Sequence, residues 1–164
     1  MSTINFDQLT KAEQRVAVAK DVLLQLKKKN YIAKKGAYVE VKKGRRSLPV
    51  KDNIDKTVCK VCALGSCLLS IAKFKNTITF NDAERGLSSW DSTDPSKRLL
   101  TSIFTRKQIN LMENAFEGVV YFMHEPFTGT DKKADRFYDQ YDKDNQRLIA
   151  IMENIIKNLG TFKP

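Results

Sequence analysis

Three cysteines, one histidine, a cluster of aspartates and a dense run of lysine and arginine are the residues of this chain that could do chemistry. Cys59, Cys62 and Cys67 fall in the spacing C-x2-C-x4-C. A structural zinc takes four ligands, commonly as two closely spaced Cys or His pairs. The fourth ligand would have to be His124, the only histidine and 57 residues beyond Cys67, or a carboxylate. On a helix, Cys62 lies about 60° from Cys59 and Cys67 about 140° from Cys62, so the three thiols diverge. Cys59-x-x-Cys62 also has redox-dithiol spacing, but such pairs normally follow a strand at a helix start, and no such context is legible. Val58 to Ala72 reads instead as a helix that is apolar nearly all round, which is the signature of a buried central helix. There cysteine packs as a small hydrophobe. The expectation is three buried, unmetallated thiols and no cofactor.

His124-Glu125-Pro126 offers a general base, but no partner nucleophile is signalled, and no catalytic residue is assigned. Asp131, Asp135, Asp139, Asp142 and Asp144 are dense enough to suggest a cation site. They miss the EF-hand spacing, and Lys132, Lys133, Arg136 and Lys143 interleave with them, so they read as mutually compensating helix charges. There is no phosphate-binding glycine loop and no nucleophile-elbow motif. Catalysis therefore ranks behind two non-enzymatic readings.

The basic run carries the first of these. Residues 1–75 hold 17 Lys/Arg against 6 Asp/Glu, and residues 76–164 hold 12 against 13. The whole formal charge of +10 thus belongs to the N-terminal half. Such asymmetry raises the local concentration of anions. Lys34, Lys35, Lys42, Lys43, Arg45 and Arg46 are the candidate anion-binding cations, with Tyr38 placed among them to stack on a base. A merely solubilising surface is the competing explanation, which the concentration of charge in one half argues against. The partner is then a nucleic acid or a nucleotide ligand. The alternative reading is a protein–protein inhibitor or adaptor of a bacterial host factor, a defence or transcription component. Reversing Arg45 and Arg46 to Glu is expected to weaken polyanion binding and leave the melting temperature nearly unchanged, since exposed charges contribute little to stability.

The elements that must position these residues are mostly helical. With 164 residues, 41% apolar and 29% charged, the chain has the size of one domain with a real core. Thr10-Lys-Ala-Glu13 is a capping box, followed by Ala12, Val16, Ala19, Leu23 and Leu26 on one face. Asp94-Pro95 starts another helix, and Thr105-Arg-Lys-Gln108 a third. Gly160 closes the last helix, from about Asp135 to Asn158. Tyr38, Val39 and Val41 are strand formers beside a turn at Gly36, giving a short hairpin or an edge strand. Thr77-Ile-Thr-Phe80 reads as a second short strand. Ile109-Asn-Leu-Met-Glu-Asn114 is echoed by Ile149-Ala-Ile-Met-Glu-Asn154, two helices with one packing problem. The fold expected is mainly α (α+β). One domain over 1–164 forms a helical bundle around a central apolar helix near 58–74, with a small hairpin or two-stranded edge sheet from 37–42 and 77–80. Helices near 10–28, 95–104, 106–121 and 135–158 pack around it.

No segment reaches the roughly 18 apolar residues of a membrane span. The N-terminus, MSTINFDQL, has no basic region followed by an apolar one, so no secretory signal is expected. An odd cysteine count confined to nine residues suits a reducing, cytoplasmic compartment. "CALGSCLL" at 62–69 and "RLIAIMENIIKNLGTFKP" at 147–164 resemble small uncharacterised proteins encoded by bacteriophages, and "AEQRVAVAKDVLLQL" at 12–26 is similar to their opening helix. The resemblance covers about half the chain. It implies a viral origin and action inside an infected bacterium, and it carries over no reaction, cofactor or site residue.

Overall fold

The computed structural model describes residues 5–88, 91–118 and 131–164. Among these the chain is mainly α with a small sheet: α1 (Lys11–Lys27), β1 (Tyr31–Ala33), β2 (Val39–Lys43), α2 (Val50–Asn53), β3 (Val58–Val61), α3 (Ala63–Lys75), α4 (Phe80–Gly86), α5 (Pro95–Thr101), α6 (Arg106–Glu117), α7 (Lys132–Asp139) and α8 (Asp144–Lys157). His124 and the expected continuation of α6 through Val119 and Val120 lie outside the described residues.

Local sequence chemistry sets the helix starts. Thr10 accepts from the Glu13 amide while Glu13 reaches back to the Thr10 N–H, closing the capping box of α1. Asp94 caps α5 with Pro95 at its first position, and Thr105 caps α6. Gly160, at φ +92°, ends α8 by donating to the Ile155 carbonyl.

Helix α3 is the centre, with Ala63 to Ala72 entirely buried. Leu64, Leu68, Leu69 and Ile71 each bury a side chain worth about 1.5–3 kcal/mol of transfer free energy. One cluster of buried side chains joins α3 to residues as far apart as Phe6 and Phe162. Phe162 is fixed from both sides: Gln108 accepts from its amide at 2.6 Å and donates to its carbonyl at 3.1 Å.

The central helix starts later than its apolar run suggests. Val58–Val61 is a strand, and Cys62 is the cap between β3 and α3. The sheet consequently has three strands rather than two, ordered β1-β3-β2. β1 runs parallel to β3, pairing Tyr31 with Cys59 and Ile32 with Lys60. β2 runs antiparallel, pairing Val39 with Val61, Glu40 with Lys60 and Val41 with Cys59, with a bulge between Val41 and Lys43. Period-two alternation buries Tyr31, Val39, Val41, Cys59 and Val61 against the core and turns Ile32, Glu40 and Lys60 outward. The second strand expected over 77–80 reduces to one bridge between Pro49 and Thr79, because Thr79 is the cap of α4, boxed with Asp82.

Candidate anion-binding surface

The outward face of the sheet and the loop after β2 gather exposed cations. Lys34, Lys42, Lys43 and Arg45 are exposed, and Lys60 is half-buried on the central strand. Glu40 lies beside Lys60 and accepts from Lys42 at 3.1 Å. That hydrogen bond, with the charges of Lys42, Lys60 and Arg46, holds the Glu40 carboxyl below the usual range. Glu40 therefore stays ionised and paired with Lys42. Past the bulge the chain turns at Gly44, φ +127°, where a Cβ would press within 2.9 Å of the Thr57 side chain. That turn projects Lys43 and Arg45 into solvent.

Arg46 behaves differently from its neighbour. Its Nε lies 3.0 Å from Glu84 Oε2, and Glu84 Oε1 accepts from the Val41 amide at 2.7 Å. Glu84 thus plugs an outward N–H of the edge strand, and Arg46 holds Glu84 in place. Arg46 is a structural cation as well as a surface one. Reversal of Arg46 would set a carboxylate against Glu84, a contact that Arg45 does not make.

The other end of the basic stretch is tied down by distant acids. Asp144, at the start of α8, accepts from the Lys35 amide at 2.8 Å. Glu117 of α6 accepts from the Gly36 amide at 2.9 Å, and Glu113 accepts from the Tyr38 hydroxyl at 2.9 Å. Lys35 Nζ reaches the Tyr138 hydroxyl at 2.8 Å. The opposing cation is Arg147, whose guanidinium sits 4.0 Å from the Tyr138 ring centre. Arg147 is 3% exposed and donates to the carbonyls of Phe116 and Tyr141 and to Asp144. Burial, with the charge of Glu117 adding, pushes the Glu113 carboxyl up to about 8 against the Tyr38 hydrogen bond. Burial also raises Glu117. Tyr38, the aromatic expected to stack on a base, is half-buried with its hydroxyl turned inward.

The three cysteines are free and buried. Cys59 points inward from β3, Cys62 accepts from the Gly65 amide at 3.4 Å, and Cys67 lies inside α3. A strand-to-helix setting for Cys59-x-x-Cys62 is therefore present, contrary to the sequence reading. Burial nevertheless pushes the Cys59 and Cys67 thiols up to about 12 and Cys62 higher still, away from thiolate chemistry. The aspartate cluster resolves into separate duties: Asp131 caps α7, and Asp144 pairs with Arg147 and holds Lys35. Among the described residues, no group of three or more His, Cys, Asp or Glu side chains could hold a metal ion, and no helix is long and apolar enough to cross a membrane.

Sequence reasoning missed Lys60, because its strand was hidden in an apolar run, and missed the three carboxylates on 35–38. The only signal for Glu113 was its position on the apolar face of α6, one turn from Ile109 and Phe116. Compared with family models, curated proteins and solved structures, the chain finds no match.

Proposed function

We propose that this protein is a non-enzymatic binding protein for an anionic partner, a nucleic acid or a nucleotide ligand, which docks on the outward face of the sheet and the loop after β2. The observation that carries the reading is the exposure of Lys34, Lys42, Lys43 and Arg45 around Lys60, on a face whose acid, Glu40, is already paired. Phosphate oxygens suit such a surface, and Arg45 in a loop is free to fork onto two of them. Tyr38 serves by positioning the 34–38 segment rather than by stacking. The three blocks that resemble phage-encoded proteins support an infected bacterium's cytoplasm as the setting.

The test is a titration of fluorescent duplex and single-stranded DNA and of a nucleotide at 50 and 200 mM salt. A surface making several phosphate contacts should lose affinity steeply over that range, by about 0.9 log units of slope per contact on a duplex. Lys43→Glu with Arg45→Glu should weaken binding by about tenfold or more and flatten the slope. Absence of binding at 50 mM salt, or a double reversal that changes nothing, removes this reading and leaves the protein adaptor of a host factor in its place.

A further inference from the structure

We infer that Glu113, Glu117 and Asp144 form a proton-operated latch on the 34–38 segment, closed while Glu113 is protonated and released when it ionises. This rests on the anion-binding reading for its purpose, since the segment carries Lys34, one of the exposed cations of that surface.

The geometry is a clasp with three teeth. Backbone amides of Lys35 and Gly36, two successive donors in a turn with Gly36 at φ +79°, are taken by Asp144 and Glu117. Successive amides in such a turn form a natural seat for an anion. Here the protein's own carboxylates occupy it, so an incoming phosphate meets a filled seat. The third tooth is Glu113, whose Oε1 accepts from Tyr38 while Oε2 is buried without a hydrogen-bond partner. A protonated Glu113 tolerates that position. An ionised one leaves charge on an unsatisfied buried oxygen, one helical turn from Glu117.

The surroundings give little relief. Tyr38 faces Glu113 from the segment and Cys62 from the head of α3, neither carrying a cation. Around Glu117 stand Lys35 from the segment, Asp144 and Arg147 from α8, and Asp135, Tyr138 and Asp139 of α7, which line a cleft of about 470 Å³ with it. Lys35 and Arg147 favour ionised Glu117, and no described group does the same for Glu113. Among the described residues the hydrogen-bond partner that joins Glu113 to the segment is Tyr38, so a Glu113 carboxylate that moves toward water gives up its hold there.

The latched carboxyl titrates near 8 and its ordinary value is 4.5. In the interval between, the ratio of open to closed segment rises about tenfold per pH unit and then levels off. Amide hydrogen exchange, corrected for the intrinsic pH dependence of exchange, reads this directly and needs no partner. Between pH 6 and 8 the protection of Lys35 and Gly36 should fall about tenfold per unit and stay well below that of Leu68 to Ile71 in α3, which open only when the whole chain unfolds. Glu113→Gln, which keeps the Tyr38 acceptor and cannot ionise, should hold protection flat. Flat protection in the unmodified protein overturns the latch. So does protection of Lys35 and Gly36 equal to that of α3 across this range, which would be general unfolding, or an unchanged pH dependence in Glu113→Gln. Duplex DNA, single-stranded DNA and a nucleotide, each titrated at pH 6.5 and 8.5 in 50 mM salt, separate the two ideas. Exchange that follows the latch with no binding at either pH sinks the function and leaves the latch standing. Binding with pH-independent exchange does the reverse.

Discussion

The two ends of the basic stretch look alike as text and are unlike as structure. Lys34-Lys35 and Lys42-Lys43-Gly44-Arg45-Arg46 are both short cationic runs beside strands. The first is followed by backbone amides and a hydroxyl held by acids 75 to 109 residues away in the chain. The second holds itself through a two-residue pair, Glu40 with Lys42, and one contact to α4, and its remaining cations point into water. A run of lysines therefore says where charge is, and the helices packed above it decide whether that charge is scaffold or surface. Here α6 and α8 hold the backbone of one end and leave the other to itself.

The contrast breaks most sharply at Arg147. Arg147→Ala strips donors from two carbonyls and from Asp144, so urea unfolding should show a loss of about 3–5 kcal/mol. Arg45→Ala at the open end should stay within about 0.5 kcal/mol.

Opposite responses to pH come next. Glu113 is raised, so its contribution is whole below its ordinary value of 4.5, declines as pH rises, and is gone above about 8. Thermal melts from pH 5 to 9 should fall over that window and flatten in Glu113→Gln. Glu40 is lowered, so its small, solvent-screened contribution is present above its ordinary value and lost on acidification below it. Glu40→Gln should leave the alkaline limb of the melting curve unchanged.

A methyl group tests the clasped end from beneath. A Cβ on Gly65 would stand 1.5 Å from the Tyr38 carbonyl oxygen, so Gly65→Ala must displace the segment or the helix. It should cost about 1–3 kcal/mol, with amide chemical-shift changes centred on 34–39. The smallest effect divides two adjacent arginines. Arg46→Glu faces Glu84 and the Val41 carbonyl and should cost about 1 kcal/mol, whereas Arg45→Glu should leave the melt nearly unmoved. Equal melts for the two would erase the distinction drawn between them.

What was legible in the sequence was what neighbours within four residues decide. The caps at Thr10, Asp94 and Thr105 and the glycine stop at Gly160 stand where their side chains and φ preferences put them. Strand β3 was not legible, because Val58, Cys59 and Val61 run without a break into the apolar helix, and Lys60 alone marks the switch from period two to period 3.6. Thr77–Phe80 misled in the other direction: β-branched residues suggested a strand while Thr79 and Asp82 spelled a capping box. The exposed cations were readable as charge. The clasp was not, and the paired Met-Glu-Asn motifs show why. Glu113 is buried against Tyr38 and Glu153, at the same place in the same pattern, is exposed. Only tertiary packing separates them.

The strand order sets the sequence of events by which the molecule assembles. β1 and β2 follow one another in the chain but do not touch as partners, since β3 lies between them. A peptide holding only 28–47 has no hairpin to form. Pairing waits for β3, which is tethered through Cys62 alone to α3, so threading the strand and seating the helix are one step. That step closes loops from both earlier strands at once, and its entropy is spent before the hydrophobic reward of α3 arrives. The apolar run from Val58 to Ala72 thus has two duties in one uninterrupted segment: its strand completes the sheet that carries the outward basic face, and its helix fills the core.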